Sequence, residues 1–155
     1  SKKDLFKYLV KITRERYMEF IKKYRSQFPK DLIELTGYIS RLGLKFYREE
    51  PQLFKMIMKL SMSNKSEMQQ EVMEMYSTHA EEMFKLIYAD VKTDNLKYSF
   101  EKTLRILNTV FFGVKMNMLK MIEGNEDVDS LEKKLMPYID EITEAIKFGI
   151  YKGKE

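Results

Sequence analysis

The segment from Phe100 to Ile122 constrains this chain more than any other, because it keeps helical spacing on two sides at once. Leu104, Leu107, Phe111, Met118 and Ile122 fall in one angular sector of an α-helix, and Ile106, Val110, Gly113, Val114 and Met121 fall in a second. A helix that covers a core with one face needs only one stripe. Two stripes place this helix at the centre of a bundle, or set one of its faces against a second subunit. The last segment offers a complementary stripe of Leu131, Leu135, Tyr138, Ile142 and Ile146. The expected fold is therefore all-α, a bundle of about six helices whose last two long helices join their symmetry mates in a dimeric four-helix bundle.

The remaining helices follow from the same periodicity and from local stop signals. Ser1 and Asp4 have capping-box spacing, and Leu5, Leu9, Ile12, Phe20 and Tyr24, supported by Phe6 and Tyr17, carry a first helix to about Phe28-Pro29. A second helix is expected from about Pro29 to Arg48 on the stripe Leu32, Leu35, Ile39, Leu42 and Phe46. Pro51 opens a short third helix with Leu53, Phe54, Ile57 and Leu60. Ser61 to Lys65 reads as a turn, after which Ser66 and Gln69 cap a fourth helix that ends near Asp90. Lys92 to Asn95 leads into the fifth helix, and Gly124-Asn125 stops it. Asp129 and Glu132 have capping-box spacing for the final helix, where Pro137 is expected to introduce a kink or a split.

With 155 residues the chain suits a single domain, 1–155. A charged share of 34%, with six glycines and three prolines, favours helices over a sandwich or barrel. The absence of cysteine excludes disulfides and thiolate chemistry. No apolar run is long enough to cross a bilayer and no secretory pattern opens the chain, so a cytoplasmic location and no membrane partner are expected. The 28 basic and 24 acidic residues are interleaved, which reads as solvated helix faces rather than as a nucleic-acid tail.

Three passages carry a resemblance. Ser1-Lys2-Lys3-Asp4-Leu5-Phe6 resembles the junction at which the recognition helix of tetracycline-repressor (TetR) family regulators gives way to the long first helix of the ligand-binding domain. Phe46 through Pro51 to Leu53-Phe54 is similar to the aromatic-x-x-x-x-P-x-L-[FY] passage of their sensing domains, and Phe111-Phe112-Gly113-Val114 to an apolar-Gly-apolar passage in their penultimate helix. The resemblance implies a homodimer with an internal pocket in each subunit. Residues 1–93 would be mainly sensing helices and 94–151 mainly dimerisation helices. Ligand binding would tilt the first helix and change the spacing of two DNA-binding heads, which must reach half-sites about 34–36 Å apart. DNA would be contacted only through an N-terminal helix-turn-helix that this chain lacks.

Twelve methionines, ten tyrosines and ten phenylalanines suit an adaptable cavity for a small apolar or aromatic effector, although ordinary core packing also uses such residues. Helix faces combined with the family's pocket position give Tyr17, Phe20, Tyr24, Phe46, Met56, Met73, Tyr76, His79, Met83, Asn108, Phe111 and Phe112 as candidate ligand-binding residues. The dimer candidates are Ile106, Val110, Gly113, Val114, Met121, Leu131, Leu135, Tyr138, Ile142 and Ile146. Asn108 needs a partner for its amide, from a ligand, a water or the other subunit. His79, the one histidine, has no nucleophile or carboxylate tied to it, and Tyr76 stands where a helical di-iron site needs glutamate. No catalytic residue, metal or cofactor is assigned. Glu67, Glu71 and Glu74, with Asp140, Glu141 and Glu144, read as solvated acidic faces. The competing reading is a stand-alone helical module that binds a partner protein through exposed apolar surface.

Overall fold

The computed structural model describes residues 1–62, 70, 74 and 77–150, with the side chains of these except 60–62, 77–79 and 150. Six helices make up the fold among the described residues: α1 (Lys2–Tyr24), α2 (Leu32–Glu49), α3 (Pro51–Met62), α4 (Ser77–Tyr88), α5 (Phe100–Glu123) and α6 (Val128–Ile150). A 3₁₀ turn, Arg25–Gln27, extends α1. The all-α class is as expected from the periodicity.

α2 packs between α6 on one side and α3 on the other, while α5 lies against α6 and α3, and α1 rests on α2, α3 and α4. Ile33 and Leu44 of α2, Leu107 of α5, and Leu131 and Ile139 of α6 are fully buried where these helices meet. Each such side chain contributes about 1.5–3 kcal/mol relative to exposure. The α2–α6 contact is flanked by charge. Arg41 meets Asp140 at 2.5 Å, Arg48 meets Asp129 at 2.6 Å and Glu132 at 3.0 Å, and Lys147 pairs with Glu34. The α4–α5 connection is tied back to the α1–α2 turn by Arg25–Asp90 at 2.6 Å and by the Lys92 amide donating to the Lys30 carbonyl at 2.8 Å.

Local signals at the helix ends held in part. Ser1 caps α1 by accepting from the Asp4 amide at 3.2 Å and Pro51 occupies the first position of α3, while Ser99, which was not foreseen, caps α5. The start of α2 differs from the expectation at Pro29: Asp31 is the cap, its carboxylate accepting from the amides of Ile33 at 3.0 Å and Glu34 at 2.9 Å. α6 likewise starts earlier than the Asp129–Glu132 spacing suggested, because Asp127 accepts from the Ser130 amide at 2.9 Å. Asp129 and Glu132 serve Arg48 instead. Pro137 does not split α6, which runs unbroken through it. Ser61 and Met62 continue α3 rather than forming a turn, whereas Ser66 and Gln69 lie outside the described residues. α5 stops as expected, with Asn125 rather than Gly124 taking the left-handed conformation at φ 56°. Among the described residues no helix is long and apolar enough to cross a membrane.

Candidate functional site

The expected ligand-binding residues separate into two places. Tyr17 and Phe20 project from α1 onto Phe46 of α2, and Tyr24 packs on Phe20: the Tyr17 and Phe46 rings are 5.1 Å apart, Phe20 and Phe46 5.0 Å, and Phe20 and Tyr24 5.0 Å. Phe20, Tyr24 and Phe46 are buried by these contacts, so they are core residues filling one another's space. Half-buried Met56 sits beside α1, its sulfur 3.9 Å from Thr13 Oγ1. Burial, and secondarily the nearby Tyr88 hydroxyl, pushes the Tyr17 hydroxyl up to about 12. Lys45 beside Tyr24 holds that hydroxyl below the usual tyrosine value.

The second place is a groove of about 680 Å³ between α4 and α5. Phe100, Leu104, Asn108 and Phe112 succeed one another at i+4 intervals along α5, and Phe84 of α4 forms the opposite wall. Phe84 lies tilted against Tyr88 at 4.8 Å and meets Phe100 edge-on at 6.1 Å, which fixes that wall. Phe84 is 44% and Phe112 51% exposed, and Asn108 is exposed beside them. Glu101, Arg105 and Thr109 form the rim. Of the expected ligand residues, Asn108 and Phe112 therefore line the groove, Met83 is half-buried, and Phe111 faces the core. Phe84, Phe100 and Leu104 were not foreseen as binding residues, although the i+4 ladder containing the last two is plain in the sequence. Met73 and Tyr76 lie outside the described residues. His79 belongs to α4, with its side chain outside the description.

A smaller depression of about 350 Å³ lies over Phe20 and Phe46, walled by Glu19, Lys23 and Glu49 and bridged by Arg16–Glu50 at 2.5 Å. Among the acidic candidates, Glu67 and Glu71 are outside the described residues, Glu74 and Glu141 are exposed, and Asp140 and Glu144 pair with Arg41 and Lys147. No group of described residues is placed to hold a metal ion.

The expected dimer residues divide as well. Val114, Leu131 and Leu135 are buried in the chain's own core, at 4%, 0% and 2% exposure, and have no surface left for a second copy. Periodicity marked them as apolar without showing that α2 and α3 would cover this side of α5 and α6. Val110 and Tyr138, each 37% exposed, remain at the surface, with Ile106, Met121, Ile142 and Ile146 half-buried. Among the described residues, a Cβ built on Gly113 would meet nothing within 4 Å, and the same holds for Gly149 of α6. No family model, curated protein or solved structure matches this chain.

Proposed function

We propose that this chain is the effector-binding and dimerisation module of a TetR-like transcriptional regulator, sensing a small apolar or aromatic molecule and passing the signal on through α1. The observation that carries the reading is the open space at Gly113. A glycine inside a long helix costs about 1 kcal/mol relative to alanine, and among the described residues no neighbour uses the room it leaves. A helix of a second copy, laid beside Val110 and Tyr138, would use it. The groove supplies an effector surface about half a turn around α5 from that face. α1 is in contact with α4, and Arg25–Asp90 ties the α4 end to the α1 end, so a ligand that shifts α4 acts on α1 directly.

Sedimentation equilibrium of the purified chain tests the assembly. Twice the chain mass at micromolar concentration is expected, and a monomer over the whole accessible range removes the reading. A stand-alone interaction module is the second reading, favoured by the openness of the α4–α5 groove, which an amphipathic partner helix can enter. Capture of a small molecule by the dimer, with no protein partner, separates the two.

A further inference from the structure

The α4–α5 groove carries opposite charges on one rim. Glu101 and Arg105 both line it, one helical turn and about 6 Å of rise apart on α5, and the Asn108 amide follows three residues later. Glutamate four residues ahead of a cation is the spacing that favours an ion pair within a helix. Lys11 and Glu15 of α1, four apart in the less favourable order, pair at 3.9 Å. Glu101 and Arg105 do not come to ion-pair distance of each other, and among the described residues nothing else pairs with either or hydrogen-bonds the Asn108 amide. Thr109 is committed to its own helix, its hydroxyl donating to the Arg105 carbonyl at 2.9 Å. One carboxylate, one guanidinium and one amide therefore stand exposed at the edge of the groove with their hydrogen-bonding capacity turned to solvent.

The rest of the lining is apolar, with Phe84 across from Phe100, Leu104 and Phe112. The Phe84 and Phe112 rings keep about half their surface unpacked, and ring faces and edges of this kind are met best by another flat ring. A ligand of net charge matches one rim charge and opposes the other, which lies a single turn away. A zwitterion matches both. In an α-amino acid the ammonium and the carboxylate share one carbon, so one molecule reaches Glu101 and Arg105 together while its side chain turns into the groove.

We propose that the α4–α5 groove binds a free aromatic α-amino acid, its ring against Phe84 and Phe112, its ammonium at Glu101 and its carboxylate at Arg105 and Asn108. This rests on the reading of the chain as an effector-binding module and names the class of effector. Ring contact supplies most of the affinity. The two exposed charges, each worth little in water, select among ligands that share the ring.

The chain contains no tryptophan, so the emission of an indole ligand can be followed against it directly. Fluorescence titration of tryptophan, N-acetyltryptophan, tryptamine and indole with the whole chain at low salt is the test. Tryptophan is expected to bind about threefold or more tighter than each of the other three. Arg105→Gln should erase the preference over tryptamine and Glu101→Gln the preference over N-acetyltryptophan, with indole binding and the circular dichroism spectrum unchanged in both. Phe112→Ala should weaken all four ligands. A preference for tryptophan that survives both Glu101→Gln and Arg105→Gln overturns the assignment. If indole binds as well as tryptophan, the amino-acid assignment fails and the effector-binding reading stands. If none of the four binds a chain that sediments as a dimer, the amino-acid assignment alone fails; if none binds and the chain is a monomer, both fail.

Discussion

A Cβ placed on Gly37 would stand 2.8 Å from Thr143 Oγ1, closer than two such atoms can approach without something moving. Gly37 is buried on α2, and Thr143 is buried on α6 with its hydroxyl committed to the Ile139 carbonyl at 2.7 Å. The two helices owe their close approach to this missing side chain. Ion pairs to Arg41 and Lys147 flank it from either end.

The first prediction is a change of sign. Gly37→Ala adds a methyl to a filled space, at a cost of about 1–3 kcal/mol, against a helix-propensity gain of about 1 kcal/mol. In the wild-type background it should lower stability in urea unfolding. In a Thr143→Ala background, where the obstructing oxygen is gone, the propensity gain should dominate and the same substitution should raise stability. A loss of equal size in both backgrounds would show that Thr143 is not the obstacle.

A second prediction separates the helix caps from their acidic neighbours. Asp31→Ala and Asp127→Ala should each cost about 1 kcal/mol, since each leaves helix amides without an acceptor. Asp129→Ala should cost less than Asp127→Ala, because Asp129 reaches only an exposed Arg48 that retains Glu132. Denaturant midpoints of the three variants decide it. The reverse order would return the capping role to Asp129.

These caps also show what could be read from residues alone. Ser1 and Pro51 act within one turn of their own positions, so their roles are visible in a few letters of sequence. Asp127 and Asp129 each have a polar residue three positions on, and the choice between them is made by Arg48, some eighty residues away on another helix. The groove is legible in the same limited way. Phe100, Leu104, Asn108 and Phe112 form a ladder in the sequence, but the wall that makes it a groove comes from Phe84, whose place beside Phe100 depends on how α4 packs. Val114, Leu131 and Leu135 read as interface for the converse reason. Spacing gives the face of a helix and not the element that covers it.

The third prediction concerns α5. Val110→Asp should convert a dimer to a monomer with its helical signal intact, since Val110 is already exposed in the single chain. Val114→Asp should unfold the chain, because an uncompensated carboxylate there enters the core at a cost of about 4 kcal/mol or more. Sedimentation velocity and circular dichroism on both variants check the pair. A Val110→Asp protein that keeps the wild-type mass would move the interface elsewhere.

Tyrosine ionisation gives the fourth. In a spectrophotometric titration Tyr24 should ionise ahead of an ordinary tyrosine, because Lys45 favours its phenolate, and Tyr17 should be among the last, at about 12, because burial opposes its charge. The folded chain holds the Tyr17 proton more tightly than the unfolded chain does. The stability tied to it is therefore whole below about pH 10 and is lost as the pH rises toward about 12. Tyr17→Phe should remove one late-titrating group and flatten stability over that interval. Unchanged late titration in Tyr17→Phe would reassign that group.

Native mass spectrometry of the purified chain tests the central claim most directly, since one spectrum reports both assembly and bound small molecules. The account predicts a dimer that carries a small apolar or aromatic molecule. A monomer that carries no small molecule would contradict it.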